Sequence, residues 1–128
     1  MMPDPIADML TRFRNSSASH RDEVNVPYSK VKFTIAKILE KCGFVGAVET
    51  KEDKKEFTVK LRYDGRRPAF AAVRRISKPG HRVYAKADKL PTVRSATGVA
   101  VISTSQGLMT NMEAKDRKLG GEIICEIY

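Results

Sequence analysis

Gly98-Val99-Ala100-Val101-Ile102-Ser103-Thr104-Ser105-Gln106-Gly107-Leu108-Met109-Thr110-Asn111-Met112-Glu113-Ala114-Lys115 is the stretch whose reading decides the fold. Gly98 to Ile102 is a short, β-branched apolar run, which predicts a buried strand. Ser103 to Gly107 follows as a turn crowded with small hydroxyls, where Gly107 lets another backbone come close. Thr110 and Glu113 have the Thr-x-x-Glu spacing of a capping box, in which hydroxyl and carboxylate satisfy the open donors of a helix's first turn. A rigid strand, a hydroxyl turn and a positive helix end together suit a phosphate or a ribose. The plainer alternative is a capped loop whose hydroxyls serve only their own backbone.

Working outward, Asp4-Pro5 opens a helix, with aspartate as N-cap and proline in the first helical position. Ile6, Met9, Leu10 and Phe13 then recur at helical spacing. A short strand from Glu23 to Val26 ends at Pro27. Ser29 caps a second helix whose buried face is expected to be Val31, Ile35, Ile38, Leu39 and Cys42, closed by Gly43. Phe44 to Thr50 and Glu56 to Arg62 read as a hairpin around the charged turn 51–55, with Phe57, Val59 and Leu61 alternating inward. Asp64-Gly65-Arg66-Arg67-Pro68 is the best linker candidate. Beyond it come Ala72 to Ile76, the Lys78-Pro79-Gly80 turn, Arg82 to Tyr84, the opening stretch, and a last strand from Glu122 to Tyr128. The expected class is α+β in two small domains: 1–63, two helices on three strands, and 69–128, mostly β with a short helix, joined by 64–68.

A chain of 128 residues at 41% hydrophobic content can build an ordinary core, and its formal charge of +9 points to a polyanionic partner. Residues 1–64 hold 12 Lys and Arg against 10 Asp and Glu, while residues 65–128 hold 12 against 5, so the second half is the polyanion face. There Arg66, Arg67, Arg74, Arg75, Lys78, Arg82, Lys86, Lys89 and Arg94 are opposed along the sequence only by Asp88, with Phe70 and Tyr84 among them. No apolar run approaches the length of a membrane span. Asp4 and Asp8 stand where a secretory signal would carry Lys or Arg, so a cytoplasmic location without membrane contact is expected. Cys42 and Cys125 lie far apart and are expected to be reduced packing residues.

An enzyme reading finds little to use. His20 and His81 are isolated, and no P-loop or dinucleotide fingerprint occurs. Ser103-Thr104-Ser105-Gln106-Gly107 lacks the first glycine of a nucleophile elbow, which removes a hydrolase built on Ser105 and His81. No catalytic residue, cofactor or metal is therefore expected. Ile76-Ser77-Lys78-Pro79-Gly80 repeats the chemistry of a hydroxyl beside a tight turn and cations, so two such turns could grip one nucleic-acid backbone. Arg12, Arg14, Lys30 and Lys32 have a competing reading as solvated helix charges.

Three motifs in order resemble one family closely, ribosomal protein eight of the bacterial small subunit: Asp4-Pro5-Ile6-Ala7-Asp8-Met9-Leu10-Thr11-Arg12-Phe13-Arg14-Asn15, then Ile76 to Tyr84, then Ser103 to Ala114. The resemblance covers the whole chain. It departs from the family pattern where the usual aspartate after the motif threonine is Asn111, and where the usual arginine after Glu-Ala is Lys115. Both bear on any role that needs the aspartate charge or a bidentate guanidinium.

The resemblance implies a primary binder of the 16S rRNA central domain that helps assemble the small subunit beside neighbouring ribosomal proteins, acting chiefly through its carboxy-terminal domain. It also implies repression of a ribosomal-protein message through a similar RNA site. Carried onto this chain, Ser103, Thr104, Ser105 and Gly107 would meet the RNA, helped by Ser77, Lys78, Arg82 and Tyr84. Thr11, Arg12, Arg14, Asn15, Ser29 and Lys30 would support it from the first domain, while Thr110 and Glu113 cap the helix that steadies the site. Short hydroxyls suit the shallow minor groove of A-form RNA, and cations around them neutralise phosphates. Tyr84 packs on a base or sugar in this reading, or else in the core. A free-standing RNA-binding regulator or RNA chaperone is the alternative that composition alone supports.

Overall fold

The computed structural model describes residues 3–94 and 97–128. Contacts divide the chain into two compact units, Pro5–Ala71 and a second that gathers Ala72–Tyr128 with Asp4.

In the first unit, α1 (Pro5–Ala18) opens directly on its proline and buries Met9, Leu10, Phe13 and Ser17 along one stripe. Strand β1 (Glu23–Pro27) leads to α2 (Lys30–Lys41). Ser29 caps α2 by accepting from the Lys32 amide. Gly43, at φ +86°, ends it in a Schellman arrangement: its N–H reaches the Glu40 carbonyl while the Phe44 N–H reaches Leu39. Strands β2 (Val48–Thr50) and β3 (Glu56–Lys60) form the expected hairpin. The antiparallel order is β1-β3-β2. Its register sets Val24, Val59 and Val48 in one buried row beside Val26 and Phe57, while Asn25, Thr58 and Glu49 turn away. The two helices cover the apolar face. A small ladder, β4 (Tyr63–Asp64) with β5 (Arg67–Pro68), occupies the polar stretch around Gly65.

Helix α2 departs from the sequence reading in its rotation. Its buried stripe is Lys32, Ile35, Ala36 and Leu39, while Val31 is 48% exposed and Cys42 lies at the surface. Apolar character alone does not choose between adjacent positions of a stripe; the fixed spacing to Ile35 and Leu39 does, and it takes position 32 rather than 31.

The second unit is built on its last strand. β6 (Val73–Arg75) and β7 (Tyr84–Ala85) share one edge of β10 (Gly121–Ile127), and β8 (Val99–Thr104) takes the other. Between β8 and β10 the chain makes β9 (Gly107–Thr110), paired with β8, and then α3 (Asn111–Asp116). The stretch Gly98 to Lys115 is therefore a two-residue β-hairpin turning on Ser105 and Gln106, followed at once by a helix, where the sequence suggested a strand, a turn and a helix. Leu108 and Met109 were the missed signal, one partly and one fully buried. Ala100, Ile102, Met109, Ala114, Ile123 and Val93 form the core. Ile124 sits at a register shift between β10 and β8, which explains why Ile123, Ile124 and Cys125 are buried in succession where strict alternation was expected.

Candidate nucleic-acid interface

Register brings the two hydroxyl-bearing motifs together. On β10, Glu122 is the direct partner of Tyr84 on one side and of Ser103 on the other, and Ser103 is in turn the partner of Leu108. Direct antiparallel partners project to the same face, so Tyr84, Glu122, Ser103 and Leu108 form one row across four strands. The next row, Ile123, Ile102 and Met109, points into the core. Tyr84 is 68% exposed, which settles its side chain outside the core. The row needs Gly121, because a Cβ there would stand 2.1 Å from the Ser103 carbonyl oxygen.

Glu122 is the residue that sequence reasoning missed. Its Oε2 accepts from the Ser77 hydroxyl at 2.5 Å and from Arg82 Nη1 at 2.9 Å. Burial pushes this carboxyl up, but the bonds from Ser77 and Arg82, with the charges of Arg82 and Arg75, pull harder and hold it below its usual range. Ser77 is fully buried and its oxygen also accepts from the Val83 N–H at 3.0 Å. Its hydroxyl thus braces Glu122 and the β7 approach from inside, rather than facing outward. Lys78 and His81 close the Lys-Pro-Gly turn through paired backbone bonds of 3.0 and 2.9 Å, with both side chains exposed. A carboxylate 40 residues from Arg82 and 45 from Ser77 gives no local sequence signal.

In the hydroxyl turn, Thr104 works for its own backbone: it donates to the Gly107 carbonyl at 2.8 Å and accepts from the Gln106 N–H at 3.1 Å. Ser103 is partly exposed and Ser105 exposed, and neither hydroxyl has a hydrogen-bond partner among the described residues. Gly107 adopts φ +107° with open space around it, so the conformation and not crowding requires glycine. Thr110 caps α3 by accepting from the Glu113 N–H at 3.1 Å. The Glu113 carboxylate accepts a hydrogen bond from the Thr110 hydroxyl at 3.3 Å instead of reaching back to the backbone. Asn111 is buried, its Oδ1 accepting from the Ala100 N–H at 3.1 Å and its Nδ2 donating to the Pro91 carbonyl at 2.9 Å.

The arginines that looked unopposed along the sequence meet acids brought by β10 and by the amino terminus. Arg74 pairs with Glu126 at 3.5 Å, and Arg82 with Glu122. Arg75 is nearly buried, holding both Asp4 oxygens at 3.2 and 3.1 Å and the Ile124 carbonyl at 2.7 Å. Lys78 has no ion pair among the described residues. In the first unit, Thr11, Arg12, Arg14 and Asn15 are exposed on α1 and Lys30 at the start of α2; Arg12 donates to the Asn25 carbonyl at 3.1 Å, and Ser29 is committed to its cap.

Residues 4–128 match the family model described as Ribosomal protein S8. The chain is 50% identical to the small ribosomal subunit protein uS8 of Caldanaerobacter subterraneus subsp. tengcongensis, over 100% of its own length and 99% of that protein. Proteins of the same name from Syntrophus aciditrophicus and Sorangium cellulosum are 46% and 45% identical, covering 99% and 100% of this chain and 98% and 100% of theirs. On this match across all three motifs, the chain belongs to the ribosomal protein S8 family.

Proposed function

We propose that the chain is a structural constituent of the small ribosomal subunit that binds the central domain of 16S rRNA and so helps assemble the subunit. The observation that carries this reading is the row Tyr84–Glu122–Ser103, in which β10 joins the Lys-Pro-Gly turn and the hydroxyl turn on one face. Ser103 and Ser105 offer unspent hydroxyls to 2′-OH groups and base edges in a shallow minor groove. Tyr84 offers a ring to an unstacked base, while Lys78 and Arg82 meet phosphates. Thr104, Gly107, Thr110 and Glu113 hold the turn, and Ser77 braces it from within. Thr11, Arg12, Arg14, Asn15, Ser29 and Lys30 supply a separate set of contacts from the first unit. The chemistry is binding without catalysis or cofactor, in the cytoplasm, beside other small-subunit proteins. The same surface would recognise a similar RNA site in its own message and repress it.

The test is binding to a fragment of the central domain across a salt series. Affinity should fall steeply with salt; a salt-insensitive affinity would overturn the reading. Replacing Ser103 and Ser105 by Ala, with Thr104 left to hold the turn, should lower the preference for cognate RNA over random duplex by about 1–3 kcal/mol per lost contact. Equal losses on both RNAs would mean that the turn only shapes the backbone. The same pair of substitutions should relieve repression of a reporter message carrying the site.

A further inference from the structure

Strand β9 ends its sheet, in the order β6-β10-β8-β9. On β8, the Ala100 N–H donates to Asn111 on the β9 side, while the Ser103 carbonyl lies against Gly121 of β10. Backbone groups alternate sides along a strand, so Ile102 and Thr104 exchange bonds with their partners Met109 and Gly107. Leu108 and Thr110, the partners of Ser103 and Val101, then turn their backbone groups away from β8. The Leu108 N–H and C=O, side by side and followed by the Thr110 N–H, face outward. No described residue bonds the Leu108 groups, and Leu108 is only half-buried.

The outer strands of the other sheet, β1 and β2, are closed off by side chains. Tyr28 and Leu61 bonds fix which groups of β1 face β3 and leave the Asn25 carbonyl outward, where Arg12 takes it at 3.1 Å. The outward Val48 N–H of β2 goes to the Glu40 carboxylate at 3.3 Å. Such side chains occupy an edge and block further pairing. β9 lacks these guards: Gly107-Leu108-Met109-Thr110 carries no charge and no proline, and its register with β8 is unbroken.

We propose that the β9 edge receives an extended segment of another protein as an added strand, a neighbour in the small subunit on the functional reading above. An N–H and a C=O at strand spacing match a peptide backbone, which offers the complementary pair. A phosphate would meet one donor beside one repelling acceptor. A second copy would bring two chains of formal charge +9 together, so the segment comes from a different protein and carries no net positive charge. The residue opposite Leu108 is apolar, because direct cross-strand partners share a face.

Amide exchange at Leu108 tests this in three states: the chain alone, its complex with an rRNA central-domain fragment, and small subunits reconstituted from rRNA and total small-subunit proteins. Exchange should be fast in the first two and about tenfold slower in the third. Unslowed exchange in the subunit overturns the proposal. So does slowing by the rRNA fragment alone, which makes RNA the occupant, or slowing in the free chain that grows with its concentration, which makes the occupant a second copy. Leu108→Pro deletes an outward N–H and no bond to β8, so the variant should fold. Mixed with an equal amount of the natural chain, it should enter subunits about fivefold less often, after correction for each chain's measured affinity for the fragment. Equal entry overturns the proposal, and should the variant not fold, the exchange rates decide alone. A natural chain that neither binds the fragment nor enters subunits would sink the functional reading and this partner with it. One that enters with Leu108 still exchanging fast sinks the added strand alone.

Discussion

At the scale of single residues, two side chains show how one group can answer to several distant neighbours. Asn111 uses its amide in both directions, accepting from Ala100 and donating to Pro91. An aspartate at this place could make only the first bond and would set a carboxylate against the Pro91 carbonyl. Asn111→Asp should therefore cost about 1–3 kcal/mol in denaturant unfolding; an equally stable variant would mean that the loop at Pro91 moves freely to accommodate it. Cys125 is buried against Arg75 and Val101, and its thiol is pushed up to about 12, chiefly by burial, with Arg75 and the Val101 backbone pulling partly back. Its folded state holds the proton more tightly, so this contribution to stability is full below the unfolded thiol's pKa of about 8.5 and is lost as pH rises toward about 12. In native protein at pH 8, iodoacetamide should modify Cys42 and spare Cys125; in denaturant both of the chain's 2 cysteines should react.

At the scale of elements, the hydroxyl turn is a hairpin loop and not a strand-to-helix turn, and that changes which glycines matter. Gly121 lets β10 approach β8, whereas Gly107 supplies a backbone angle. Gly121→Ala should cost more than Gly107→Ala, about 2–4 against about 1–2 kcal/mol, because one drives a carbon into a carbonyl while the other adds strain in open space. Thermal melts of the two variants decide the order, and a reversal would mean that β8 and β10 part easily. Much at this scale was legible. The Ser29 cap, the Gly43 stop, the alternation through Phe57 and Val59 and the Thr110 cap are all signals spanning a few residues. β9 was not legible, because Leu108 and Met109 make too short a run to mark a strand without β8 beside them.

At the scale of the whole molecule, charge is the property that reorganises most between sequence and structure. Arg74, Arg75 and Arg82 are each matched by an acid, whereas Lys78 has no acidic partner among the described residues. In the salt series with rRNA, Lys78→Ala should reduce the slope by about one contact, roughly 0.7–0.9, and Arg74→Ala by clearly less. Equal reductions would mean that RNA displaces Glu126 from Arg74. Glu122 sets the acid limit of the same face. Its carboxyl lies below the usual range, so its stabilisation is present above the unfolded value of about 4.3 and is lost as pH falls through the lower folded value. The melting temperature should drop more steeply below pH 4 in the natural chain than in Glu122→Gln, and parallel profiles would show that other carboxylates govern acid unfolding. By itself the sequence determined the α+β class, the helix caps, the strand β8, the polyanion preference and the two motif turns, since each rests on interactions between residues close along the chain or on summed charge. Only the tertiary structure decided that Lys32 and not Val31 turns inward, that β10's glutamates answer the arginines, and that Tyr84 and Ser103 share a row through Glu122. Those outcomes depend on register and packing between segments far apart in sequence, where the energy lies in the pairing and neither partner alone carries its mark.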